Sequence, residues 1–195
     1  MRKDKKFILA SGSPRRIEMM ASHGIKPVIM PAHIDENIPP HCGMCETAMF
    51  LALKKAQAVE SEYLAGSGED SPVIIAADTI VYKNGEIMGK PQNSDDGFRM
   101  LSKLRNDYHY VVTGVALLEA GARNTRVFAE VTKVYFKDYS DQELRDYLAT
   151  DEAYDKAGGY AIQGYFARHV DHFEGSHDNV IGFPWKRIEE EIEKL

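Results

Sequence analysis

Val73-Ile74-Ile75-Ala76-Ala77 is a run of five apolar, mostly β-prone residues followed at once by Asp78. A strand that is apolar at every position, not every second one, must be covered on both faces, as strands are when helices pack above and below a sheet. The chain around this run alternates accordingly. Residues 7–10 read as a short buried strand, and Ser13-Pro14 opens a helix that runs to about His23, with Gly24 placed to end it. Residues 45–64 read as a long helix with Met49, Leu53, Ala56 and Val59 or Glu60 at successive turns, and residues 65–72 as a connector. Asn84-Gly85 marks a hairpin between residues 80–82 and Glu86–Met88. A helix over Ser94–Leu104, strands over residues 108–118 and Thr125–Phe136 joined through Gly121, a Ser140-Asp141-Gln142-Glu143 capping box opening a helix to Ala149, and a last helix from near Trp185 complete the pattern. Strand and helix in alternation make this an α/β chain.

The bulk numbers narrow the class. With 195 residues, 44% of them hydrophobic and 28% charged, the chain can bury one real core. A net charge of -6 disfavours nucleic acid and acidic membranes as partners. No apolar stretch approaches membrane-spanning length, and the basic residues 2–6 precede too short an apolar run for a signal peptide, so a cytoplasmic location is expected. Cys42-Gly43-Met44-Cys45, with His33 and His41 upstream, follows Pro39-Pro40-His41, whereas a redox pair normally follows a buried strand; the cluster reads as incidental.

Three stretches carry chemistry. In Ser11-Gly12-Ser13-Pro14-Arg15-Arg16 two cations fall in the first turn of a helix, where the macrodipole disfavours them. An anion held by the helix N-terminus, the serines and the arginines would resolve the conflict; a solvated pair of arginines is the alternative. Asp78 stands where open α/β sheets bind ligands, at the expected carboxyl end of a strand, and a carboxylate there needs a metal, a cation or hydrogen bonds; capping the next turn is the plainer role. Lys90 sits on the constrained Gly89-Lys90-Pro91 turn. The Asp35-Glu36 pair is either surface decoration or a source of oxygen ligands for Mg²⁺. Asp155-Lys156-Ala157-Gly158-Gly159-Tyr160-Ala161-Ile162-Gln163-Gly164 holds three glycines in ten residues without the Walker A order, and the Gln163 amide suits a base edge.

In this order, with Lys55-Ala56 on the long helix, Ala77-Asp78-Thr79, and Gly175-Ser176 through Gly182-Phe183-Pro184, the motifs resemble the Maf-like nucleotide pyrophosphatases. The resemblance implies one elongated domain over residues 1–195, a central twisted mixed sheet flanked by helices as in Maf- and ITPase-like proteins, and an active site in a cleft between two lobes. It implies cleavage of a nucleoside triphosphate to monophosphate and pyrophosphate with a divalent cation, Mg²⁺ or Mn²⁺. Asp78 would be the catalytic carboxylate, Glu36 and Asp78 would hold the metal, and Lys55 and Lys90 would neutralise the triphosphate with help from Ser13 and Arg16. Arg15, Thr79 and Gln163 match the three selectivity positions of the branch acting on dTTP and UTP. Ala161, His177 and Trp185 depart from the family's usual residues, and Ala161 bears on substrate breadth. His169, His172 and His177 read as surface or structural histidines, not metal ligands. The expected partner is the nucleotide, with a homodimer compatible with the family. The rivals are a nucleotide-sensing regulator of cell division and septum formation, and a house-cleaning enzyme for purine triphosphates of the ITP and XTP type.

Overall fold

The computed structural model describes residues 5–66 and 70–195. Residues 67–69 of the expected connector and residues 2–4 of the basic N-terminal stretch lie outside them. The sheet has the strand order β2-β1-β3-β5-β6-β7, with β4 paired to β3. Its strands are β1 (Phe7–Leu9), β2 (Val28–Ile29), β3 (Val73–Lys83), β4 (Glu86–Met88), β5 (Tyr108–Glu119), β6 (Thr125–Phe136) and β7 (Val170–Glu174). The helices are α1 (Pro14–Ser22), α2 (Met44–Ala65), α3 (Ser94–Leu104), α4 (Asp141–Leu148), α5 (His177–Ile181) and α6 (Trp185–Ile192). The sheet is mixed: β1 runs parallel to both β2 and β3, while β3–β4 and β6–β7 are antiparallel. This is the expected α/β architecture. No helix among the described residues is long and apolar enough to cross a membrane.

The chain gathers into two compact units, one from Met1–Asp78, Thr113–Glu130 and Gly182–Leu195, the other from Thr79–Val112 and Val131–Ile181. In the first, the all-apolar run of β3 is explained by two cores. Val73, Ile75 and Ala77 join Phe7, Leu9, Val115 and Leu117 beneath Met20 of α1 and Trp185, Ile188 and Ile192 of α6. Ile74 and Ala76 join Ile8, Ala10, Ala116 and Leu118 beneath Ala52, Ala56 and Val59 of α2. Alternate side chains of a strand point to opposite faces, so each face takes its own helix layer. The approach of α2 is close enough to exclude a side chain: a Cβ at Gly114 would stand 2.1 Å from the backbone of Ala48.

The second unit has one core, in which Val81, Val111, Val134 and Phe136 meet Leu101, Leu104, Leu144, Tyr147 and Phe166. His109 lies fully buried there, sharing a 2.6 Å hydrogen bond between its Nε2 and the Tyr160 hydroxyl.

The structure corrects three expectations. On α2 the residues buried against the sheet are Ala52, Ala56 and Val59, while Met49 and Leu53, expected on that face, are only partly buried. β3 does not end at Ala77; it continues through Asp78 and Thr79 to Lys83, so Asp78 lies inside a strand and the Asn84-Gly85 hairpin is its far end. Polar side chains at 78 and 79 mimic a strand end, yet β-sheet pairing is made by backbone groups and tolerates them. Ser13 holds the N-cap position with extended backbone, but its side chain makes no capping bond; its carbonyl accepts from Arg16 and Ile17 instead. The edge strands β2 and β7 carried no readable pattern, being two and five residues long and mostly exposed. The capping box at Ser140 and the helix Ser94–Leu104 are as expected.

Two outcomes follow from this packing. Gly114→Ala meets backbone, not a flexible side chain, and should cost about 3 kcal/mol, roughly 6–12 °C of Tm by calorimetry. Burial, reinforced by Lys83 and opposed by Asp107, pushes the His109 pKa down to about 3. Its contribution to stability is therefore complete above the unfolded value near 6.5 and is lost as pH falls toward 3, at up to about 1.4 kcal/mol per pH unit. His109→Leu should remove that slope between about pH 6.5 and 5, above the carboxylate range, in denaturant unfolding curves.

Candidate active site

Strand alternation builds the centre of the site. Ile74 and Ala76 face α2, so Asp78, two residues further, points the same way. On α2 the positions facing the sheet are Ala52, Ala56 and Val59, and Lys55 falls within that stripe. The two charges therefore meet: Lys55 Nζ donates to Asp78 Oδ1 at 2.5 Å. The same ammonium lies 2.8 Å from Glu36 Oε1. Side chains of Lys55 and Asp78 are only 16% and 13% exposed, against 61% for Glu36, so the Asp78 arm of this bridge is the shielded one. The loop bearing Glu36 is tethered to the same helix, because Lys54 donates to the Asp35 carbonyl.

Arg16 answers the conflict at the start of α1. Its Nε donates to the Gly182 carbonyl at 3.0 Å, and its Nη1 to the Ala77 carbonyl at 2.8 Å and the Ser11 hydroxyl at 3.1 Å. Burial pushes the guanidinium pKa down to about 10, with Asp78 acting against that shift and Arg15 adding to it. Among these contacts its role is to clasp backbone beside Asp78. Ser11, read from the sequence as an anion ligand, and Gly182 are acceptors for this arginine; the part of Gly182 was not readable, because a backbone carbonyl leaves no trace in a sequence.

Other predicted residues are placed as follows. Arg15 is half-buried on α1, Ser13 half-buried at its start, and Thr79 half-buried in β3 next to Asp78. Lys90 and Gln163, both exposed, belong to the second unit. There the Gly89 carbonyl accepts from the Gly158 amide at 2.9 Å, tying the turn of Lys90 to the glycine-rich turn. Gly158 has φ +72° and a Cβ there would lie 3.0 Å from Val81, so this glycine serves the fold of the turn. Cys42 and Cys45 are free thiols, and burial, then Glu46, raises the Cys45 pKa, the opposite of an activated thiol. His172 is fixed by Asp171, Nδ1 to Oδ2 at 2.8 Å, and stacks on Tyr135; His169 is buried against Tyr139 and Phe166. These are structural roles.

A family model described as Maf-like protein matches residues 6–195. This chain belongs to the Maf-like family. The Maf-like chain is 44% identical over 191 residues to a dTTP/UTP pyrophosphatase of Caldicellulosiruptor saccharolyticus, covering 98% of this chain and 95% of that one. It is 41% identical over 191 residues to the dTTP/UTP pyrophosphatase of Caldicellulosiruptor bescii, with the same coverage. It is also 43% identical over 182 residues to that of a Geobacter species, covering 93% and 91%.

The donor set at the centre fits a hard divalent cation. Asp78 and Glu36 each bring a carboxylate oxygen to Lys55 Nζ, and Mg²⁺ is typically bound by one or two carboxylates with substrate phosphates completing its shell. Among the described residues no three His, Cys, Asp or Glu side chains gather as a metal cluster, so two is the number this fit uses.

Arg16→Lys retains charge but not three directed donors. It should cost about 2–4 kcal/mol, read as a Tm lower by roughly 4–16 °C, because the carbonyls of Ala77 and Gly182 lose their partner.

Proposed function

We propose that this chain hydrolyses dTTP and UTP to the monophosphate and pyrophosphate, using a divalent cation. The observation that carries the reading is Lys55 held between Asp78 and Glu36 on the motif positions shared in order with the family. Relatives named dTTP/UTP pyrophosphatase, aligned over nearly the whole chain, support the reaction and the substrate class. Asp78 and Glu36 would hold Mg²⁺ or Mn²⁺, which supplies Lewis-acid charge to phosphate oxygens when bound.

The chain's own groups do the rest. Lys55 bridges both carboxylates and offsets one of their two charges before substrate arrives, and offers its ammonium to the triphosphate afterwards. Lys90 adds a second cation from an exposed turn. Asp78, the more shielded carboxylate, orients the water that attacks the α-phosphorus, so pyrophosphate is the leaving group. Such chemistry depends on positioned charge more than on covalent intermediates. Arg15, Thr79 and Gln163 read the base: a glutamine amide offers one donor and one acceptor edge, matching the carbonyl and N–H that uracil and thymine share. The reaction would draw on a cytoplasmic nucleotide pool.

A turnover panel with Mg²⁺ and dTTP, UTP, CTP, GTP, ATP and ITP, products separated, tests this. Expected are TMP and UMP with pyrophosphate, and a loss of about 10²–10³-fold in kcat for Asp78→Asn. Orthophosphate as the product, ITP as the preferred substrate, or binding without turnover would each sink the reading.

A further inference from the structure

One buried polar group of the second unit has no part in the reaction outlined above. His109 is fully enclosed, and its Nδ1 has no hydrogen-bond partner among the described residues. An imidazole so placed is costlier to fold than an aliphatic side chain of similar volume. Its one hydrogen bond goes to Tyr160, which begins the turn that carries Gln163. Tyr160 is itself 5% exposed, with its ring edge-on to Phe136 at 4.8 Å and to His109 at 5.3 Å.

The other end of the turn has a longer, more exposed anchor. The Tyr165 amide donates to Glu152 Oε2 at 3.2 Å, and Glu152 Oε1 accepts a long 3.5 Å contact from the Tyr147 hydroxyl. Between these anchors the Gly164 amide donates to the Ala161 carbonyl at 3.1 Å, closing the turn, and Ala161 is 7% exposed. Ile162 packs on the core. Gln163 alone stands out to solvent, and its amide makes no hydrogen bond within the described residues. Buried neighbours and two end anchors hold an uncommitted amide outward. Ordering a recognition group before the ligand arrives lowers the entropy cost of binding.

We infer that His109, through Tyr160, and Glu152, through the Tyr165 amide, are positioning residues for Gln163, fixing the orientation in which its amide meets a pyrimidine base. The inference rests on the reading of Gln163 as a base-reading residue. Neither anchor touches substrate. Each acts on selectivity through the turn.

The test compares kcat and KM for UTP, dTTP and GTP in Tyr160→Phe, Glu152→Ala, Glu152→Gln and Gln163→Ala. Tyr160→Phe and Glu152→Ala should raise KM for UTP and dTTP on the order of tenfold with little change in kcat, and lower the preference for UTP over GTP by a similar factor. Glu152→Gln keeps an acceptor for the Tyr165 amide and should restore most of the preference. Adding Tyr160→Phe to Gln163→Ala should lower the preference no further than Gln163→Ala alone. A purely structural role would reduce Tm and kcat for all three nucleotides in parallel and leave the preference unmoved; that result, with Gln163→Ala still shifting it, overturns the positioning role alone. An unchanged preference in Gln163→Ala removes the base-reading assignment and this inference with it. Should Tyr160→Phe not fold, the Glu152 pair decides.

Discussion

The ion pair between Lys55 and Asp78 is the constraint on which the candidate site depends. It joins a helix to a strand at the edge of an apolar face built mainly of alanine, isoleucine, leucine and valine. A lone carboxylate inside β3 would be expensive to shield, and so would a lone lysine within the packing stripe of α2. Together each makes the other tolerable, with Glu36 adding a second, more exposed negative group. The alternation of β3 and the helical period of α2 place them opposite each other before any ligand is considered. A centre of this kind keeps one uncompensated negative charge at rest and carries its cation on a flexible stem, so the positive group can turn without backbone movement.

Arg16 complements this arrangement by holding backbone carbonyls and a hydroxyl. Its guanidinium touches carbonyls from β3 and from the segment before α6 together with the Ser11 hydroxyl. Those contacts fix the backbone on which Asp78 stands, and they let a cation occupy the first helical turn despite the dipole. Arginine suits the task because its donors point in fixed directions, which a lysine ammonium does not offer.

How much of this was legible in sequence varies with the physics involved. The all-apolar run at residues 73–77 announced a strand covered on both faces, whereas the stripe expected on the long helix was right only at Ala56 and Val59; the turn that brings Lys55 to the strand is marked by Ala52, not by Met49 and Leu53. The Asn84-Gly85 turn and the Ser140 capping box were readable because their residue types are demanded by local geometry. The extension of β3 past Asp78 was not, since a polar pair looks like an ending until its partners are known. The clasp of Arg16 on carbonyls was hidden for a related reason: sequence names side chains, and half of that network is backbone. His109 in an otherwise ordinary strand pattern gave no hint of its bond to Tyr160, 51 residues away.

The clasp also has a meaning for how the chain acquires its structure. The hydrogen bond from Arg16 to Gly182 closes a loop of 166 residues, whereas the second unit draws its last segment from residues ending at Ile181. During vectorial synthesis the first unit receives its opening strand and helix earliest, yet α6 and the Gly182 carbonyl emerge only after the second unit's residues have all been made. Long-range closure of this sort is slow in proportion to the chain entropy it must overcome. On the ribosome, then, the half of the molecule that holds the aspartate and lysine is the last to become complete, and its apolar strands wait uncovered by α6 while the rest of the chain folds.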